Sequence, residues 1–319
     1  RLSLVGSEMC IRDRLRIVGL GLERPLVKRM GLGYDPFAVT TLWVFFGELM
    51  FLVLILFRAW GDPAYFQGVM GWLPLALIPG LLYGVSFHAY VNALKIGEVS
   101  LLTPLFASGF VLMYVYDVLG GWAELSIVPL GGVLLVTLGI ALLNPAPLSE
   151  ATAAGAALAA NGGMRTTLAD ALRRLDPRVL LRQPGAWGMI TCAVAVATGR
   201  AVDKHLSADA EPLIYAVVVN TPPVLIGLLI LAAQRRLPEL TRLARDRTPL
   251  VAVSAVIGHG AFLMYVYCLR YFPPSVIEPV SQLGVFIAVG LGGLWFGEPV
   301  RARWLPSAMV VAGAAILLV

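Results

Sequence analysis

Nine apolar runs, at 36–58, 71–94, 99–119, 125–144, 185–205, 211–233, 249–271, 274–296 and 302–319, leave this 319-residue chain few ways to fold. A helical run of about 20 residues crosses a hydrocarbon core of about 30 Å. In lipid every backbone N–H and C=O must be satisfied within the protein, so only helices or a closed barrel can span. The alternating polar and apolar segments that mark a barrel are absent. Charged residues make up 13% of the chain, about half the share of a soluble domain. The sequence therefore predicts an all-α integral membrane protein.

Several functions are excluded at this stage. The Lys and Arg behind the net charge of +5 sit in short loops between runs, where they report membrane orientation rather than a nucleic-acid partner. Cys10, Cys192 and Cys268 show no CxxC or Cys/His spacing, so neither a disulfide framework nor a zinc site is implied. A nucleotide-binding GxxxxGK[ST] loop is absent. The HExxH and DDxxD clusters of membrane-embedded metalloenzymes are absent too. No cofactor is expected and no enzymatic activity.

An internal repeat organises the chain. "YVNALKIGEVSLLTPLFASG" at 90–109 lies over "YVYCLRYFPPSVIEPVSQLG" at 265–284, matching Tyr90 with Tyr265, Leu94 with Leu269, Pro104 with Pro279 and Gly109 with Gly284, with Lys95 opposite Arg270. Upstream, with a one-residue slip, Arg24 matches Arg200, Lys28 matches Lys204, Asp35 lies over Glu211 and Pro36 over Pro212. Downstream Glu124 matches Glu298 and Gly139 matches Gly313. Five spans per half is an odd number, so the second half enters the membrane inverted. Inverted repeats are a common transporter architecture, with the substrate near the midplane between the halves. The stretch 145–184 between them reads as a linker, Ala/Gly-rich at first. Thr167 to Asp170 then form a capping box that opens a short amphipathic helix.

Each half ends in a glutamate loop followed by a glycine-containing apolar helix, as in "WFGEPVRARWLPSAMVVAGAAILLV", and carries a central-helix proline, Pro104 or Pro279. In this the chain resembles the paired EamA repeats of the drug/metabolite transporter superfamily, from about residue 17 to 319. The resemblance implies a ten-helix bundle of two inverted five-helix repeats, 15–144 and 185–319, in the inner cell membrane. It also implies a cavity lined mainly by the third, fourth, eighth and ninth helices, and passage of a small metabolite or drug-like solute. "GGWAELS" in the first half fits the glutamate-loop pattern loosely. A lipid-linked substrate flippase or a membrane-embedded enzyme is the alternative. The partners expected are a small-molecule substrate and the bilayer, with protons one candidate coupling ion.

Ten helices require one before residue 31, and that segment is a poor span. The repeat places Arg12, Asp13 and Arg14 where the other half has Gly188, Met189 and Ile190, and three charges there are costly in lipid. "SLVGSEMCIRDR" also looks like a translated sequencing adapter, so residues 1–14 are expected to be non-native and the first helix truncated. Basic residues collect in the loops after odd-numbered spans, among them Lys28, Arg29, Lys95, Arg235, Arg236 and Arg301. That puts the linker in the cytoplasm and the C-terminus outside, against the resemblance, which implies cytoplasmic termini.

Polar residues within the spans form the candidate site. They are Glu48, His88, Asn92, Thr103, Asn220, His259, Tyr265, Glu278, Ser281 and Gln282. His88 and Asn92 are four apart, and Glu278, Ser281 and Gln282 make a polar stripe, so each set shares a helix face. Pro104 and Pro279 each disrupt a carbonyl four residues earlier, at Ser100 and Ser275, which predicts a weakened first turn beside protein or cavity water. Glu278 has two readings here, a cavity-facing carboxylate or a shallow one solvated at the interface. Glu48 lies deeper in its span and is the stronger coupling candidate. His88, His259 and Tyr265 read equally as packing residues, and Arg200, Asp203 and Lys204 as a charge cluster at the interface.

Overall fold

The computed structural model describes residues 2–97, 99–142, 181, 184–297 and 304–316, with side chains from residue 14 onward. Its helices are α1 (Leu2–Gly31), α2 (Pro36–Arg58), α3 (Val69–Ile96), α4 (Val99–Leu119), α5 (Ile127–Leu142), α6 (Ala186–Leu206) and α7 (Pro212–Ala233). They continue as α8 (Leu237–Cys268), α9 (Pro274–Ser281), α10 (Val285–Phe296) and α11 (Trp304–Ile316). Short 3-10 turns lie at Pro63–Phe66 and Gln282–Gly284. By length and composition α2, α3, α7 and α8 can each cross a membrane, with mean hydropathies of 2.2, 1.6, 2.1 and 1.8. The expected linker helix lies outside the described residues.

Local chemistry sets the helix boundaries. α2 and α7 start the same way: Asp35 accepts hydrogen bonds from the Phe37 and Ala38 amides, and Glu211 from those of Leu213 and Ile214. Pro36 and Pro212 follow at the first helical position. A carboxylate there satisfies amides that have no intrahelical partner, and proline sacrifices none that was needed. The repeat match of these residues is thus a match of local structure.

Two boundaries differ from the sequence expectation. α8 begins twelve residues before the predicted 249 and bends at Arg247 (φ −136°, ψ 17°). Pro249 explains the bend, because it lacks an N–H for the 245 carbonyl and pushes its predecessors out of helical geometry. The span predicted over 274–296 is broken, and the break falls at Gln282–Gly284 rather than in the first turn. α1 crosses α9 and α10 at that point. A Cβ on Gly284 would lie 2.4 Å from the Ile17 carbonyl oxygen, and one on Gly21 would lie 2.7 Å from the Gly284 oxygen. Two glycines let the backbones touch where the chain unwinds between α9 and α10.

Packing relates the two halves. α3 lies against α6 as α1 lies against α8, α3 against α7 as α2 against α8, while α2 packs on α7 and α5 on α11. Lys95 Nζ donates to the Tyr34 carbonyl at 2.9 Å, and Arg270 Nη2 donates to the Ala210 carbonyl at 3.1 Å. Cation and carbonyl are repeat-matched in both cases. Arg236 pairs with Asp35 at 2.7 Å, and the Tyr34 hydroxyl donates to Asp246 at 2.9 Å. Basic residues of the α7–α8 region thereby collect around the α1–α2 loop.

The cluster of Arg200, Asp203 and Lys204, expected at the interface, is instead largely internal. Asp203 is 1% exposed. It accepts from the Tyr215 hydroxyl at 2.5 Å, from the Tyr83 hydroxyl, and from Arg200 Nη1 at 3.3 Å. Lys204 is half-buried and donates to the Leu269 carbonyl at 2.5 Å. Asp203 therefore ties α6 to α3 and α7 through two phenols. A hydrogen bond to a charged group contributes about 1.5–3 kcal/mol. Tyr83→Phe and Tyr215→Phe should each lower stability by about that amount, and the double variant by more than either, in thermal unfolding of detergent-solubilised protein. Unchanged melting in both single variants would show that Asp203 is not held through these hydroxyls.

Candidate functional site

A cavity of about 110 Å³ lies where eight helices meet, α1 to α4 and α6 to α9. Its wall carries charge that a membrane interior rarely holds: Arg16, Glu23 and Arg24 from α1, Arg200 from α6 and Glu278 from α9. The rest is aromatic or weakly polar, including Trp43, Phe87, Phe106, Asn220, His259 and Phe262.

Glu278 occupies the junction of the charged groups. It is 3% exposed and lies on the cavity wall. Its Oε1 accepts from Arg16 Nη2 at 2.9 Å and lies 3.0 Å from Arg200 Nε, the second contact being an ion pair without hydrogen-bond alignment. Arg16 Nη1 also donates to Ser281 Oγ at 2.6 Å and to the Ile277 carbonyl at 3.4 Å. Ser281 in turn donates to that carbonyl at 2.6 Å. One guanidinium thus reads the inner face of α9 over a full turn. Arg200 lies 3.7 Å from the Tyr265 ring centroid and Arg16 lies 4.7 Å from it, so the ring meets two cations. The repeat-matched pair recurs in the first half, where Arg24 bonds the Tyr90 hydroxyl.

The start of α9 is held from another helix. Asp117 of α4, fully buried, accepts from the Ser275 amide at 2.7 Å. That amide lies in the first turn and has no intrahelical acceptor, so a carboxylate from α4 caps the helix that carries Glu278.

The other sequence-selected residues divide. Asn220 lines the cavity and donates to the Ala216 carbonyl at 2.7 Å. His259 also lines it, its Nδ1 donating to the Ala255 carbonyl at 3.0 Å and its ring edge-on to Trp43 at 4.9 Å. A Cβ on Gly47 would lie 2.1 Å from that ring, so α2 carries glycine to admit it. Tyr265 and Ser281 act behind the wall through Arg16 and Arg200. His88 is off the cavity, bound to the Gly84 carbonyl at 2.6 Å and packed on Phe37 at 4.8 Å. Asn92 is exposed, contrary to the expectation that it shares a cavity face with His88. Glu48 is half-buried, accepts from Thr221 Oγ1 at 2.5 Å, and is not on the cavity wall. The side chains of Thr103, Pro104, Pro279 and Gln282 lie outside the described ones.

Sequence reasoning passed over Arg16, Glu23, Arg24, Asp117 and Arg200 as site residues. Two signals pointed to them: Arg16, Glu23 and Arg24 follow a seven- to eight-residue spacing that returns to one helix face, and Arg24 and Arg200 occupy matching repeat positions.

Residues 183–319 match the model of the EamA-like transporter family. No curated protein matches the chain. Among solved structures 28 chains match. One, described only as the crystal structure of a protein, is 15% identical with a TM-score of 0.63, the alignment covering 97% of this chain and 96% of that one. At that identity the likeness establishes the fold alone. Residues 183–319 are thus similar to an EamA-like transporter domain, and α2, α3, α7 and α8 are each long and apolar enough to cross a membrane, as in a helical membrane protein.

Proposed function

We propose that the chain is a secondary transporter of the cell membrane that moves a small solute by alternating access. In this reading ten spans form two inverted five-helix repeats, 15–144 and 185–319, joined by the linker 145–184. The observation that carries it is the cavity between the halves with a buried carboxylate bridging two arginines. Ionisable groups inside a membrane bundle are costly and mark substrate or ion pathways.

Further features support the repeat. The caps of α2 and α7, the Lys95–Tyr34 and Arg270–Ala210 contacts, and the helix pairings all relate positions that the sequence repeat equates. Inversion puts Arg24 and Arg200 in opposite halves of the bilayer. Solute entering the cavity reaches Arg16 and Arg200, and rocking one repeat against the other requires the Glu278 bridge between α1, α6 and α9 to rearrange. Glu278 is therefore the coupling carboxylate of this mechanism, in place of Glu48, which bonds Thr221 instead.

The test is flux of amino acids, nucleosides, sugars and organic ions into proteoliposomes with an imposed pH gradient. Glu278→Gln leaves two buried guanidiniums short of a counter-charge, so the variant should lose about 3–5 kcal/mol of stability, and rates are normalised to folded protein. Its transport should fall by about tenfold or more, with altered pH dependence, while Thr103→Val at the repeat-matched position changes little. Wild-type rates and pH profile in Glu278→Gln would reject the coupling role. Absence of flux for every solute, with turnover of a lipid-linked substrate, would reject the transporter reading.

A further inference from the structure

Resting on that reading, we propose that the cavity binds a small organic anion, a carboxylate on an apolar body smaller than a phenyl ring. The wall presents three guanidiniums, of Arg16, Arg24 and Arg200, to two carboxylates, of Glu23 and Glu278. Asp203 neutralises Arg200 from behind and takes no place on the wall.

The hydrogen-bond inventory gives the ligand its sign. Among the described residues, Arg16 Nε and Trp43 Nε1 are buried on the cavity wall and make no hydrogen bond within the protein. Both atoms can only donate. Arg200 Nε faces Glu278 without alignment, whereas His259, whose Nδ1 donates to the Ala255 carbonyl, leaves Nε2 of the neutral ring as an acceptor without a partner. Among the described side chains of the wall, three donors without a partner, Arg16 Nε, Trp43 Nε1 and Arg200 Nε, thus stand against that one acceptor. A buried donor without an acceptor costs about 1–3 kcal/mol, so the complementary ligand group is one that mainly accepts. A carboxylate has that character, whereas an ammonium group would add donors to donors. Glu278 already demonstrates the geometry, with one carboxylate oxygen held between Arg16 and Arg200.

Size and wall chemistry describe the rest of the ligand. A cavity of about 150 Å³ admits benzene, and this one, at about 110 Å³, matches a carboxylate on a chain of a few carbons. Phe87, Phe106, Phe262 and the Trp43 ring supply the apolar surface that such a body would contact. Large or multiply charged solutes fit neither the volume nor the two carboxylates already present.

The test uses the purified full-length protein and three matched probes, butyrate, butyramide and butylamine, with thermal protection read across a concentration series. Butyrate should protect at concentrations about tenfold below either analogue. Trp43→Phe, which keeps an aromatic ring and removes the N–H, should weaken butyrate about tenfold. The probe comparison uses unaltered protein and so stands even if that variant fails to fold. Equal or stronger protection by the amine or amide overturns the proposal, as does protection by none of the three or an effect that persists unchanged in Trp43→Phe. Any of these outcomes leaves the transporter reading standing, because that reading fails only if proteoliposomes carry no solute of the panel while a lipid-linked substrate is turned over.

Discussion

A guanidinium buried six residues inside a membrane helix has to be matched from several directions at once, and Arg200 imposes that condition on half the bundle. It meets Glu278 of α9 at 3.0 Å, Asp203 of its own helix at 3.3 Å and the Tyr265 ring of α8 at 3.7 Å. Asp203 extends the contact to Tyr83 of α3 and Tyr215 of α7. Breaking a buried pair by removing one partner costs about 3–5 kcal/mol, so these helices are constrained to positions that keep the charges together. The charged side of the cavity follows, set against an otherwise aromatic and aliphatic wall.

The same constraint explains the two irregular spans. α1 is a poor lipid-facing helix but a competent internal one, since Arg16, Glu23 and Arg24 are 2%, 8% and 9% exposed. Its close approach through Gly21 meets Gly284 in the 3-10 turn that follows α9. Unwound backbone inside a membrane protein is tolerated where protein or a cavity covers it. Here α1 covers it, and the first turn of α9 is capped by Asp117 from α4.

Much of this was legible in the sequence, for identifiable reasons. Apolar runs located the helices because length and hydropathy are the terms lipid selects on. Matched caps at Asp35 and Glu211 were visible because a short local motif needs no tertiary context. Arg200 and Asp203 were misread because their closeness to a helix end resembles an interfacial cluster, and only the tyrosines of α3 and α7 reveal their burial. Charges in α1 counted against a span because hydropathy averages over all faces of a helix and conceals one that turns inward. His88 and Asn92 have the spacing of one face, yet one is buried and the other exposed. Spacing fixes relative direction on a helix and leaves open where the bundle ends. The break after Ser281 depends on a crossing glycine 263 residues earlier in the chain, which no local signal carries.

The central claim is that the cavity opens in turn to the two sides of the membrane, and Cys192 can report it directly. This thiol lies on the cavity wall at 2% exposure, 3.1 Å from Ser86 Oγ. With Cys10 and Cys268 replaced by serine, a membrane-impermeant maleimide is applied to right-side-out and to inverted vesicles. Alternating access predicts that Cys192 is labelled in both preparations. Labelling from one side only, or from neither, would contradict it.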